Sequence, residues 1–306
     1  MPEPGQGGNI RPTQRFWAAV VALALSLTLN APCAALAAEV WQTLPPPPAL
    51  PAADLEGWIT RDGARIWFAA YGAGPPVVLL HGGDASSDIW GGQVPALIAA
   101  GRRVILIDSR GHGHSTLGGR PLGYELMAGD VVAVMDTLGV RKAAVVGWSD
   151  GAIIALILAM KTPERLTKVF AFAANMDRGG LNPLEPFAPI LGKVRRLLKD
   201  EYARDSGTPN GYARLSRDVL WMQLTQPNYT PAELAAIHGP DIEIADGDHE
   251  EFILHRHTRY LARTIPGAKL VILPNVGHFA PLQAPDDFDR AVLDFLAQGG
   301  ASVPAQ

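Results

Sequence analysis

The chain has 306 residues, 48% of them hydrophobic, which is enough for one large α/β domain or two small ones. Its 26 basic and 30 acidic residues give a formal net charge of −4. No basic run provides the electrostatic footprint of a nucleic-acid-binding protein, so the composition favours a small neutral or mildly cationic ligand instead.

The first 37 residues have the pattern of a cleaved signal peptide. Arg11 and Arg15 precede an apolar run, and small residues in an Ala-x-Ala arrangement follow it. We expect cleavage after Ala37 and export to the periplasm or beyond. The apolar run is shorter than the roughly 20 residues that span a bilayer, so no stable membrane span is expected after cleavage.

The single cysteine, Cys33, lies inside this segment. The mature chain would therefore have no disulfide, no thiol nucleophile and no cysteine metal site. A lipoprotein with Cys33 as the lipidated residue is a second interpretation, disfavoured because Pro32 directly precedes it.

Residues 38–56 are rich in proline, which predicts a stiff, extended tether without packing of its own. The folded domain is expected over residues 57–300. Its first two strand-like runs flank Asp62 and Gly63, a dipeptide that favours a tight hairpin turn.

Short apolar runs then alternate with longer helical patterns, which predicts strands buried on both faces of a sheet. The predicted strands are PVVLLHGG, RRVILIDSRG, KAAVVGWS, LTKVFAFAAN, DIEIADG and AKLVILPN. The predicted helices are residues 87–100, 122–138, 151–160, 255–264 and 286–297. This order predicts an α/β fold: a mostly parallel central sheet, helices on both faces and a leading antiparallel hairpin.

The interval from about 176 to 240 interrupts the alternation, because it contains several helix-like pieces and no convincing buried strand. We interpret it as a helical insertion. Within it, Tyr212, Trp221, Met222 and Leu224 could line an acyl pocket, but we favour them as the insertion's own apolar core.

Ser149 is the candidate nucleophile, in the Gly-x-Ser-x-Gly pattern GWSDG. It stands at the join between the apolar strand AAVVG and the apolar helix AIIALILAM. A sharp strand-to-helix turn there would project the hydroxyl from the sheet and aim the helix N-terminus at the site. A plain helix N-cap is the alternative role for this serine.

A serine hydroxyl needs a base to take its proton, and His278 is the best candidate. It follows the last predicted strand in a glycine-containing loop, so it should reach the same sheet edge as Ser149. The histidine in turn needs an orienting carboxylate. Asp246, Asp248, Glu250 and Glu251 all follow the preceding strand, and these residues alone do not choose among them.

At this point the chain from about 57 to 299 resembles the α/β-hydrolase family. HGG at 81–83 resembles its oxyanion-hole loop, DSRGHGHS at 108–115 resembles the segment after its fourth strand, and GWSDG resembles its nucleophile elbow. The resemblance implies a cap formed by residues 176–240 and bracing roles for Asp108, Arg110 and Ser115. Family members that open epoxides or displace halide use an aspartate nucleophile, so the serine at 149 argues against both reactions.

The resemblance also implies roles for individual residues. The acid three positions after the strand-ending glycine is Glu250, which we rank first, ahead of Asp248 and then Asp246. Backbone N–H groups of Gly83 and Asp150 would form the oxyanion hole.

The Asp150 carboxylate is open to two interpretations. It could simply stabilise the positive end of the following helix. Alternatively, it could face the pocket and pair with a cationic group on the acyl side of the substrate. Asp150 and Trp148 are then the candidate substrate contacts. GWSDG followed by Ala-Ile resembles the elbow of the valacyclovir-hydrolase-like branch, whose members hydrolyse α-amino-acid esters and hold the ammonium with this acid.

We therefore expect an exported serine hydrolase of small-molecule carboxylic esters, with no metal and no cofactor. No nucleotide site is expected either, because the glycine-rich stretch at 82–92 lacks the spacing of phosphate-binding loops. A cofactor-free, haloperoxidase-like perhydrolase using the same triad, and a catalytically silent ligand-binding relative, are the alternatives. The oligomeric state is left open.

Overall fold

The computed structural model describes residues 39–298 together with Met1. Apart from Met1, the predicted signal peptide lies outside the described residues, and one compact unit begins at Glu39. In the described part of the chain, no helix combines the length and the apolar character needed to cross a membrane.

An eight-stranded sheet forms the centre of the described residues, in the order β1-β2-β4-β3-β5-β6-β7-β8. The first strand pairs antiparallel with the second, which runs antiparallel to the fourth, whereas all other neighbours are parallel. This confirms the expected mostly parallel sheet with a leading hairpin. The strands are β1 Leu55–Arg61, β2 Ala64–Tyr71, β3 Pro76–Leu80, β4 Arg103–Ile107, β5 Ala143–Trp148, β6 Leu166–Phe172, β7 Asp241–Gly247 and β8 Lys269–Leu273.

The central strands are apolar on both faces because both faces are covered. Val78 and Leu80 of β3 belong to one apolar cluster, whereas Val77 and Leu79 belong to the other. Alternate side chains of one strand thus supply two separate cores. This is why the sequence showed continuous apolar runs without polar alternation.

Helices cover both faces and also form the segment between β6 and β7. They are α1 Gln93–Ala99, α2 Tyr124–Thr137, α3 Asp150–Lys161, α4 Leu191–Asp205, α5 Tyr212–Thr225, α6 Pro231–Ala235, α7 His255–Thr264, α8 Ala280–Gln283 and α9 Pro285–Ala297. Helix α3 packs against β3, β5 and β6 and is buried at ten consecutive positions, 150 to 159. It therefore fixes the position of the turn that precedes it.

Helices α4, α5 and α6 make up most of the predicted insertion, but the expected apolar core of that insertion was partly wrong. Met222 is buried, whereas Trp221 is 70% and Leu224 is 50% exposed. The buried positions of α5 are Leu215, Val219 and Met222. A spacing of four and three residues defines one helix face, and the two exposed side chains lie off that face.

The proline-rich segment also differs from the expected tether, because it packs on the domain. The Trp41 ring stacks on His249 with centroids 4.7 Å apart, and Gln283 Nε2 donates to Trp41 O at 2.8 Å. A Cβ added to Gly91 would lie 1.7 Å from Pro48 O. Residues 40–42 form a 3₁₀ turn whose internal hydrogen bonds use Glu39 O and Val40 O, so Trp41 O can accept from the domain surface.

Candidate active site

Ser149 occupies the turn between β5 and α3 with left-handed backbone angles, φ 56° and ψ −121°. Positions 147 and 151 must be glycine because a side chain there would collide with neighbouring backbone atoms. A Cβ on Gly147 would lie 2.3 Å from Gly151 O, and a Cβ on Gly151 would lie 2.1 Å from Leu80 O. A non-glycine residue held at positive φ by such packing is a strained position of the kind that clusters at functional sites.

His278 and Glu250 are brought together from two different loops. The histidine lies between β8 and α8, the glutamate follows β7, and His278 Nδ1 is 2.7 Å from Glu250 Oε1. The same oxygen accepts the backbone N–H groups of Phe252 at 2.7 Å and Ile253 at 3.0 Å. Three donors thus converge on Oε1 and fix the orientation of the carboxylate.

Burial dominates the electrostatics of this pair, since their side chains are 5% and 0% exposed. Burial lowers the pKa of His278 and raises the pKa of Glu250, while the two backbone donors act to lower the latter. A low-dielectric environment disfavours the charged form of each group. The resting imidazole is therefore neutral, as a general base must be.

Aromatic side chains hold the histidine in place. The indole N–H of Trp148 donates to His278 O at 2.7 Å, and the Phe252 ring lies 4.4 Å from the imidazole centroid. Trp148 is only 1% exposed. The sequence predicts that this tryptophan contacts substrate, and it does border the cavity that Ser149 lines. Its indole N–H, however, is already bonded to the backbone of the histidine loop.

The other candidate acids do not contact the imidazole. Asp248 is exposed and has His249 Nε2 as its ionic neighbour, at 3.9 Å. Asp246 is completely buried and accepts a hydrogen bond from the Thr258 hydroxyl. Glu251 contributes through its Oε2, which accepts the backbone N–H of His278 at 3.0 Å. Of the acids considered, Glu250 is the one that reaches the ring.

Ser149 and His278 both line a cavity of about 200 Å³. The cap contributes both apolar and polar side chains to its wall. The apolar ones are Leu181, Leu191, Val194, Leu198 and Leu220, and the polar or charged ones are Glu185, Arg195, Tyr212, Ser216 and Gln223. Tyr212 is thus the one residue of the four predicted in the cap that borders the cavity.

Asp150 also lines this cavity and is 6% exposed. Tyr124 Oη donates to its Oδ1 at 2.9 Å, and Gln223 Nε2 lies 3.2 Å from each carboxylate oxygen. Both of these partners are uncharged. Burial raises the pKa of Asp150 to about 6, with the two hydrogen bonds acting in the opposite direction.

The loop that follows β3 passes directly over this carboxylate. A Cβ on Gly83 would lie 2.6 Å from Asp150 Oδ2 and 2.7 Å from Gln223 Nε2. His81 anchors the same loop, because its Nε2 accepts the backbone N–H of Ser109 at 2.9 Å. Gly83 therefore lies at the cavity wall next to the turn that carries Ser149.

Asp108, Arg110 and Ser115 form contacts away from the cavity. Asp108 Oδ1 accepts the backbone N–H of Ser87 at 2.8 Å, and Ser115 Oγ donates to Asp108 O at 2.7 Å. The Arg110 guanidinium forms two hydrogen bonds with Asp130, at 2.9 and 2.7 Å. These contacts fit the bracing role that the family resemblance implied.

The residues of the site that were not anticipated include Tyr124, Gln223 and Phe252. Tyr124 opens α2 and Gln223 lies near the end of α5, so both are distant in sequence from Asp150. Nothing in their local patterns separates them from ordinary helix residues. In the residues that the structure describes, no group of three or more His, Cys, Asp or Glu side chains is arranged to hold a metal ion.

Comparison with known proteins gives consistent similarities. A family model described as alpha/beta hydrolase fold matches residues 75–205. Rhodomycin D methylesterase DauP of Streptomyces sp. (strain C5) is 29% identical over 285 residues, covering 76% of this chain and 95% of its own length. Serine hydrolase BPHL of Mus musculus is 26% identical over 248 residues, covering 78% and 85%.

A solved structure agrees in fold. The structure titled "Est816 as an N-Acyl homoserine lactone degrading enzyme" superposes with a TM-score of 0.64 at 26% identity. It covers 78% of this chain and 100% of its own.

Proposed function

Because the chain belongs to the α/β-hydrolase fold family, we propose that it is a serine hydrolase that cleaves carboxylic esters of small or medium acyl groups. One observation carries this proposal. Ser149, which is held at positive φ, lines the same cavity as His278. The Nδ1 atom of His278 lies 2.7 Å from Glu250 Oε1. Acyl transfer needs a serine hydroxyl, a neutral imidazole that can accept its proton and a carboxylate that orients the imidazole. These three side chains provide them.

Acylation begins when His278 Nε2 takes the proton of Ser149 Oγ as that oxygen attacks the ester carbonyl. Glu250 accepts the Nδ1–H, which fixes the tautomer and stabilises the imidazolium that forms. Negative charge develops on the former carbonyl oxygen. The backbone N–H groups of Asp150 and Gly83 meet it, a contribution of about 2.7–4 kcal/mol for each donor.

The intermediate collapses when the imidazolium returns its proton to the leaving alkoxide and the alcohol departs. Water then occupies the vacated space, gives a proton to His278 and attacks the acyl-serine carbonyl. The second tetrahedral intermediate breaks the Ser149 ester bond, and the serine oxygen recovers the proton from His278. The products are a carboxylic acid and an alcohol.

The dimensions and lining of the cavity support a short or medium acyl group. Its volume of about 200 Å³ and the leucine and valine side chains of α4 suit a short or medium chain.

Turnover of p-nitrophenyl butyrate by residues 38–306 tests the proposal, with Ser149→Ala and His278→Gln as variants. We expect kcat to fall by about 10³-fold or more in each, with folding unchanged by circular dichroism. Variants that turn over as fast as the parent would contradict the proposal.

We further propose that Asp150 selects esters with a cationic group on the acyl side, such as α-amino-acid esters. Its buried carboxylate borders the cavity next to Ser149, and its two side-chain partners are neutral. A substrate ammonium would therefore meet a carboxylate whose charge is not already compensated by a cation. An interaction of this kind contributes about 1.5–3 kcal/mol, or roughly 10- to 150-fold.

This finer proposal is tested by the ratio of kcat/KM for an α-amino ester to that for its des-amino analogue. Asp150→Asn should lower the ratio by about 10-fold or more. In the parent the ratio should fall as the pH drops through about 6, where Asp150 becomes protonated. If the ratio changes neither with the substitution nor with pH, Asp150 has no role in selectivity.

We also propose that residues 1–37 direct export. Expression of the full chain in a Gram-negative host, followed by N-terminal sequencing of the periplasmic protein, tests this. The expected first residue is Ala38, and a cytoplasmic product that retains Met1 would contradict export.

A further inference from the structure

A second buried carboxyl group lies next to Glu250. Asp246, near the end of β7, is 0% exposed. Its Oδ1 accepts the backbone N–H of Gly247 at 3.0 Å, and its Oδ2 accepts the hydroxyl of Thr258 on α7. The Asp246 and Glu250 side chains lie within hydrogen-bonding reach of each other.

The two oxygens of Glu250 have very different surroundings. Oε1 accepts from the imidazole and from two backbone N–H groups. Oε2 is buried and has no donor among the hydrogen bonds of the described residues. A buried carboxylate oxygen without a donor is costly, since it loses water and gains nothing in exchange. A proton on Asp246 would supply the missing donor.

Two adjacent buried carboxylates cannot both be ionised at moderate cost, so the pair retains one proton. That proton belongs on the acid whose charge is less well stabilised. Glu250 has three donors, one of them the histidine ring, whereas Asp246 has one N–H and one hydroxyl. Burial and the charge of Glu250 raise the pKa of Asp246 well above its ordinary value.

The other charged or titratable groups near the pair do not change this assignment. His255 on α7 faces Asp246, and its Nε2 lies 2.7 Å from Gly247 O. Glu251 and His278 lie on the side of Glu250. The charge of His255 lowers the pKa of Asp246, but by less than the charge of Glu250 raises it. The charge of Glu251 raises the pKa of Glu250, but by less than each of its two backbone donors lowers it.

We propose that Asp246 is a positioning residue that stays protonated and donates its carboxyl hydrogen to Glu250 Oε2. The single negative charge of the pair is then concentrated on Oε1, against His278. Glu250 is held from both sides, so it cannot rotate away from the imidazole. The histidine also faces one negative charge rather than two, which keeps it neutral and ready to act as a base. The catalytic consequence rests on the proposed serine-hydrolase function, whereas the shared proton does not.

The protonation is tested without activity, by infrared difference spectroscopy in the Ser149→Ala background at about pH 8. A protonated carboxyl stretch should be present and should disappear with Asp246→Asn. The control is Asp248→Asn, which removes an exposed carboxyl from the same loop and should leave the band in place. A spectrum with no band sensitive to Asp246→Asn would overturn the proposal even if the enzyme hydrolyses no ester tested.

The catalytic consequence is tested by two substitutions of Asp246 in the active enzyme. Asparagine keeps a donor to Oε2 and leaves one charge on the pair, so kcat should stay within about 3-fold and the acid limb of the pH profile should not move. Alanine removes the donor, and kcat should fall by about 10-fold or more with little change in KM. If the acid limb of the pH profile moves down by more than about 0.5 pH units in Asp246→Asn, Asp246 carried a second negative charge in the parent, and the proposal that it is protonated is refuted.

Discussion

At the scale of single residues, the site depends on which acid reaches the histidine. The resemblance to the α/β-hydrolase family ranks Glu250 first, and this is the side chain that lies against the ring. Asp248, ranked second, points to solvent. The ranking used a separation along the chain, but the choice is made in space, since Oε1 is held by backbone donors within its own loop.

Glu250→Gln should lower kcat by about 10²-fold or more with little change in KM, because the amide oxygen can still accept from the imidazole and the two backbone N–H groups but carries no negative charge to stabilise the imidazolium. Asp248→Asn is the matched control and should retain the parent kcat. Steady-state kinetics on p-nitrophenyl butyrate measures both. A large loss in Asp248→Asn with an active Glu250→Gln would reverse the assignment.

At the scale of elements, the turn between β5 and α3 is specified by contact between backbones. The sequence indicated this turn because a buried strand and an apolar helix flank the serine. It could not indicate what the far side of the turn touches. Gly151 lies against the carbonyl of Leu80 at the end of β3, a neighbour that only the strand order makes visible.

Gly151→Ala should lower the free energy of unfolding by at least about 3 kcal/mol, because its methyl group would lie 2.1 Å from Leu80 O. Gly192→Ala is the control. This glycine also lies in the first turn of a helix, but a Cβ there meets nothing within 4 Å, so a gain of about 0.5 kcal/mol is expected. Urea titration measures the free energy of unfolding of both variants. Equal stabilities would show that Gly151 is not required by its contact with Leu80 O.

The elements themselves were largely predictable, whereas their outward faces were not. Helix α7 was predicted over 255–264, which are its observed bounds. The polar sequence of this helix is typical of a surface helix, yet His257 is 5% exposed and accepts the backbone N–H of Met176 at 3.0 Å. Periodicity gives the position of a helix, but the burial of polar side chains depends on partners distant in sequence.

At the scale of the whole molecule, buried acids make stability depend on pH. Glu201 on α4 is 2% exposed, and both of its carboxylate oxygens lack a hydrogen-bond partner among the described residues. Burial raises its pKa from 4.5 to about 7. The folded state then holds a proton that the unfolded chain releases, so stability falls as the pH rises from about 4.5 to about 7.

Glu201→Gln should remove this dependence and raise the free energy of unfolding above pH 7 by roughly 2–3 kcal/mol. Below about pH 4.5 the variant and the parent should be equally stable. Thermal melts of both proteins across this range provide the measurement, with the exposed Glu164→Gln as control. A variant that is less stable than the parent at pH 8 would show that Glu201 carries a stabilising charge.

Ser149 should form a covalent acyl-enzyme during turnover, which mass spectrometry detects. The parent is mixed with excess p-nitrophenyl butyrate, quenched in acid within the first turnover and digested to locate the adduct. We expect one butyryl group on the peptide that contains Ser149, and none in Ser149→Ala. Turnover of the ester with no adduct at Ser149, or with the acyl group on another residue, would contradict this prediction.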